Sequence, residues 1–143
     1  MSICIQSKSL FFEVNEVKAT CIYDSTKIAI LPFVKTKRKE DKKTTNADLT
    51  IIELNKIDSI LAKTLEEHNS RFGKSIDLKN YYRQYVATIN GKGEKKVWIN
   101  CFCEKYDDWK SKILHVCDGG DYYFTSSINL TSWELEYLTF GGR

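Results

Sequence analysis

Four residues in the second half of the chain have the types and spacings from which a reactive or metal-binding site could be built. Cys101 and Cys103 stand two apart, and His115 and Cys117 repeat that interval. On a strand, residues two apart point to the same face, so each pair would present both of its groups to one side. If the two strands were neighbours, three thiols and one imidazole would converge on a rough tetrahedron. Zinc accepts that set, with Zn–S near ~2.3 Å and Zn–N near ~2.0–2.1 Å. The intervals Cys-x-Cys and His-x-Cys are not those of zinc fingers, however, and the parity of the thiols also suits cysteine as a small buried hydrophobe. A structural core role ranks first, a disulfide involving Cys117 second, and a zinc site third. Thiol catalysis would need a nearby base; His115 supplies one only if the strands pair, and no Gly-rich oxyanion loop accompanies it.

Other chemical groupings are weaker. Asp118-Gly119-Gly120-Asp121 lacks the alternating oxygen ligands of a calcium loop and reads as a turn, because glycine supplies positive φ. Glu134 and Glu136 share a strand face without a cleft between them, so they make no glycosidase pair. His68 falls near a helix C-terminus and reads as a packing or capping residue. No catalytic residue is assigned.

The elements that would position these groups are legible from periodicity. Tyr81 to Ile89 and Val97 to Cys103 are aromatic and β-branched runs around Asn90-Gly91-Lys92-Gly93, a hairpin pattern. Upstream, Thr50-x-x-Glu53 has capping-box spacing, and Leu54, Ile57, Leu61 and Leu65 follow as an apolar stripe. Asp58, Lys63, Glu66 and Glu67 are left for the wet side. Gly73 ends this helix, which is expected over 49–72.

Short strands are expected at Leu10–Val14, Ala19–Tyr23 and Lys27–Leu31, an N-terminal β segment within 8–34. Pro32 and the basic run behind it make an exposed connector, 35–47. Past the hairpin, Trp109 anchors a short crossing, Ile113–Cys117 reads as a strand, and Tyr122–Leu130 as another. In the latter Tyr122, Phe124, Ile128 and Leu130 share one parity and would face the core. Trp133–Tyr137 closes an antiparallel sheet spanning 80–140. Strands, one long helix and then antiparallel strands give a single α+β domain: a long amphipathic helix packed on a curved antiparallel sheet, cystatin-like or nuclear-transport-factor-2-like.

The chain's 143 residues suffice for an ordinary core without metals or disulfides. Its net charge of +3 is concentrated: residues 35–43 hold six basic and two acidic groups, a local +4, leaving the remainder near −1. A sequence pI near 8.5 and a near-neutral body disfavour nucleic-acid binding, which calls for basic residues across a docking face. No apolar window reaches the ~18 residues that a membrane span requires.

The words Tyr82-Arg83-Gln84-Tyr85, Val97 to Cys103, Asp118-Gly119-Gly120 and Ile128-Asn129-Leu130-Thr131 resemble small uncharacterised proteins of Bacteroidota-type bacteria. The resemblance covers about the last half of the chain. Export to the cell envelope, periplasmic or secreted, suits such a resemblance, which implies no activity. The start Ser2-Ile3-Cys4-Ile5-Gln6-Ser7 reads as the tail of a trimmed signal, so removal of a signal peptide is expected. In that group a cysteine often follows the double glycine, whereas here Asp121-Tyr122 does and Cys117 precedes it.

The expected function is a non-catalytic binding or interaction domain for a protein or small ligand. Tyr81, Arg83, Tyr85, Trp98, Phe102 and Tyr123 are the candidate binding residues, an aromatic patch with one arginine on an uncovered sheet face. A metal or thiol site at Cys101, Cys103, His115 and Cys117 is the first alternative. A small-molecule enzyme in a nuclear-transport-factor-2-like cone is the second.

Overall fold

A computed structural model describes residues 24–39, 42–116 and 118–141. The strands expected at Leu10–Val14 and Ala19–Tyr23, and Cys117, lie outside those residues. One helix, α1 (Ile51–Phe72), packs against a six-stranded sheet. The strands are β1 (Ile28–Ile30), β2 (Thr45–Asn46), β3 (Tyr82–Ile89), β4 (Lys95–Phe102), β5 (Tyr123–Asn129) and β6 (Glu134–Phe140). Their order is β1-β3-β4-β5-β6, with β2 also paired to β3.

The sheet is mixed rather than wholly antiparallel. β1 runs parallel to β3, with Ile28 opposite Arg83 and Ile30 opposite Tyr85. A parallel pair needs a long crossover, and the stretch from β1 through α1 supplies it. The connector also differs from a bare loop: its end forms β2, held where Ala47 N donates to Ala87 O and Asn46 Oδ1 accepts from Phe33 N.

The termini of α1 follow from side-chain chemistry. Thr50 Oγ1 accepts from Glu53 N at 3.1 Å, and Glu53 Oε1 accepts from Thr50 N at 2.9 Å, closing a reciprocal cap. Gly73 ends the helix at φ 65°, where a side chain would be strained. In the β3–β4 turn, Asn90 Oδ1 accepts from both Lys92 N and Glu94 N.

Both faces of the central strands are covered. Leu54, Ile57, Leu61 and Leu65 of α1 meet Tyr81, Tyr85, Val97, Ile99, Cys101, Phe124 and Ile128. On the opposite face Ala29, Leu31, Val86, Phe102, Trp109 and Tyr123 form a second apolar cluster. Much of its cover is the irregular segment after β4, including Tyr106, Trp109, Leu114 and Val116.

That segment corrects one expectation: residues 113–116 form no strand. The sheet side chains Gln84 and Asn100 take the place of a strand partner. Gln84 Oε1 accepts from Leu114 N at 3.1 Å, Asn100 Nδ2 donates to Leu114 O at 2.7 Å, and Gln84 Nε2 donates to Trp109 O at 2.6 Å. Tyr122 also departs from its expected place. It ends a short 3-10 turn, Gly120–Tyr122, and is 73% exposed, whereas Phe124, Ile128 and Leu130 do face the helix. Trp133 is a turn residue at φ 59° just before β6.

Candidate functional site

Asp58 lies on the third turn of α1, three and four residues from Leu61 and Leu54, so helical geometry carries it into the buried stripe. Arg83 projects from β3 on the same side as Tyr81 and Tyr85, directly opposite Cys101 of β4. The helix laid over the sheet brings the two charges together. Arg83 NH1 stands 2.8 Å from Asp58 Oδ2, and Tyr85 OH donates to Asp58 Oδ1 at 2.8 Å. Asp58 is 5% exposed, Arg83 3% and Tyr85 fully buried. The wet-side placement expected of Asp58 is thereby corrected. Its charge hid a position that the stripe's spacing had already assigned to the interior.

The pair is internally neutral but incompletely satisfied. Among the described residues Arg83 Nε is buried with no hydrogen-bond partner, and NH1 is held by its ion pair with Asp58. Burial pulls the guanidinium's pKa down, yet the neighbouring Tyr85 and Asp58 outweigh it and the net shift is upward. Burial drives the Tyr85 phenol well above its ordinary range against the opposing pull of Arg83. Tyr85 is therefore a neutral donor and Arg83 a fixed cation.

This pair floors a cleft of about 790 Å³. One wall is α1, through Ser59, Ala62, Leu65, Glu66 and Asn69; the other is the segment from Ser75 to Lys79, with Asp24 at its edge. Asn69 fixes the second wall to the helix. Its Nδ2 donates to Ile76 O at 2.8 Å, and its Oδ1 accepts from Ile76 N at 2.9 Å. Asp77 Oδ1 accepts from Lys79 N, and Asp24 Oδ1 from Thr26 N and Oγ1, so both carboxylates sit on ordered turns. None of the residues that line the cleft is a histidine.

The six candidate binding residues do not share one face. Tyr81, Arg83 and Tyr85 point to the helix side, whereas Trp98, Phe102 and Tyr123 belong to the opposite side. Tyr81, Phe102 and Tyr123 are at most 4% exposed and Tyr85 is fully buried, so these aromatics form no open patch; Trp98 alone is half-buried. The physical reason is the cover on both faces: α1 on one, and Trp109 with its neighbours on the other. Of the six, Arg83 lines the cleft.

The four candidate metal ligands are also dispersed as far as they are described. Cys101 is fully buried under α1, and Cys103 packs at the margin of the same cluster. Both are free thiols. Burial pushes the Cys101 thiol up. It does the same to Cys103, against a hydrogen bond from Tyr81 that works the other way. His115 is exposed in the irregular segment. Among the described residues no group of three or more His, Cys, Asp or Glu is arranged to hold a metal ion.

Among the described residues no helix is long and apolar enough to cross a membrane. No family model, curated protein or solved structure matches the chain.

Proposed function

We propose that this domain binds a small ligand without transforming it, and that the ligand sits in the cleft between α1 and the 75–79 segment. One observation carries the reading: Arg83, 3% exposed, lines the cleft, and its buried Nε–H has no acceptor among the described residues. Buried donors are almost always paired, and an unpaired one costs ~1–3 kcal/mol, more when charged. An orphaned guanidinium donor beside an open cleft has the chemistry of a group waiting for an acceptor. The alternative of a binding surface on the aromatic sheet face loses its footing, because the cover on that face belongs to the fold.

The cystatin-like or nuclear-transport-factor-2-like assignment belongs to the same proposal, supported by the single helix lying on one face of the sheet. So does placement outside the cytoplasm, which rests on the resemblance of residues 81–130.

The test is a backbone amide NMR titration with separate small carboxylates, phosphates, amines and sugars. At least one class should shift the amides of Asp58, Glu66, Asp77 and Arg83 saturably, leaving those of Trp98 and Tyr123 in place. A folded protein in which every class leaves the cleft amides unmoved would end this reading.

A further inference from the structure

The charges around the cleft narrow the ligand class. Asp58 and Arg83 cancel each other, which leaves Asp24, Glu66 and Asp77 against Lys79 and against Lys27, whose Nζ donates to Lys79 O; among the described residues the opening thus carries one surplus negative charge. A free carboxylate or phosphate that reaches Arg83 must pass these carboxylates, and like charges disfavour its entry. A plain amine would be drawn to the rim but would leave the Arg83 donor unanswered. Ala62 and Ile76 contribute apolar surface to the lining, with Leu65 and Leu78 buried in the core behind it.

Resting on the binding function proposed above, we infer that the ligand is a small zwitterion with an apolar side chain, an amino acid or short peptide. Its carboxylate accepts from Arg83 and its ammonium faces Glu66 and Asp77. Three features then have a use together. The buried donor gains a charged acceptor, the kind of hydrogen bond worth about twice a neutral one. The rim gains a counter-charge that a simple anion cannot bring. Ala62 and Ile76 gain an apolar side chain against them, and 790 Å³ leaves room for more than one residue of ligand.

Leucine and its two single-charge analogues separate the possibilities. In 4-methylpentanoate the ammonium is missing, and in 3-methylbutylamine the carboxylate is missing, with the isobutyl group kept in both. Calorimetry and amide NMR on the full chain should give leucine, or the dipeptide Leu-Leu, at least tenfold tighter binding than either analogue. The Arg83 Nε–H resonance should move with leucine and 4-methylpentanoate but not with the amine.

The doubly substituted Glu66→Gln, Asp77→Asn variant alters two exposed residues, and asparagine keeps the capping role at 77. It should erase the preference for leucine over 4-methylpentanoate. If either analogue binds as tightly as leucine, or inorganic phosphate binds in its place, the zwitterion inference fails and the binding function stands. If none of these probes nor any other small-molecule class shifts the cleft amides, both fail.

Discussion

The Asp58–Arg83–Tyr85 cluster is the residue-level feature on which the functional reading turns, and it makes a prediction of its own. An ion pair out of water is held by mutual attraction against a large desolvation penalty, so removing one partner strands the other. Asp58→Asn keeps the shape of the side chain and leaves the Arg83 charge unanswered. Urea unfolding should show a loss of about 3–5 kcal/mol, the range seen when a buried pair is broken. Replacing both charges with apolar residues of similar size, Asp58→Leu with Arg83→Met, should restore most of that loss. A cost under ~1 kcal/mol for Asp58→Asn would place the pair in solvent-like surroundings. This cluster was half visible in the sequence. Asp58 sits at the i+4 position from Leu54 and i+3 before Leu61, inside the apolar stripe, but its charge argued for the surface. Nothing local to β3 identifies Arg83 as its partner, since the pairing is created only when helix and sheet dock.

At the scale of elements, local signals were reliable wherever they had a local cause. The Thr50–Glu53 cap, the Gly73 stop and the Asn90-Gly91-Lys92-Gly93 turn all form as their residue types require. The strand expected at 113–116 fails because its apolar residues pack as a cover for the sheet, with backbone groups satisfied by Gln84 and Asn100 side chains. Such a substitution leaves no periodicity to read.

The cap also gives a pH dependence. Glu53 loses some ionisation tendency to burial, but bonds from Thr50 N and Lys95 outweigh this, and its pKa lies below the ordinary value. A carboxylate depressed in the folded state stabilises fully above its unfolded pKa, near ~4.3, and that contribution fades as pH falls through the lower folded value. Stability measured by urea unfolding should therefore fall more steeply below about pH 4 in the wild type than in Glu53→Gln. The variant should start lower at pH 7, by about 1 kcal/mol or less for the lost cap bond and ion pair. Parallel acid profiles for the two proteins would deny Glu53 this role.

Over the whole molecule, the sheet is a two-sided core whose covers differ in kind. On one side, α1 satisfies its own backbone and contributes only side chains. On the other, the segment after β4 buries Trp109 at 3% exposure but has little regular backbone pairing. Among the described residues, Leu114 N and the carbonyls of Trp109, Lys112 and Leu114 reach the sheet through the Gln84 and Asn100 side chains. This asymmetry accounts for what the sequence concealed about the aromatics: the sequence reading groups Tyr85 and Phe102 on one uncovered face, whereas the β3–β4 register sets them on opposite faces, each with its own cover.

It also orders the stability of the parts. Regions held by few backbone bonds open before the central strands do. Hydrogen exchange should accordingly find the amides of Tyr85, Val86, Ile99 and Cys101 slowest, with Ser111, Lys112 and Leu114 released in an earlier, partial opening. Gln84→Ala removes the shared tie and should speed exchange at those three amides tenfold or more relative to the central strands. Apolar packing of Trp109 and Leu114 would have to hold the cover unaided if their protection in Gln84→Ala matched the wild type, and the side-chain tie would then be dispensable.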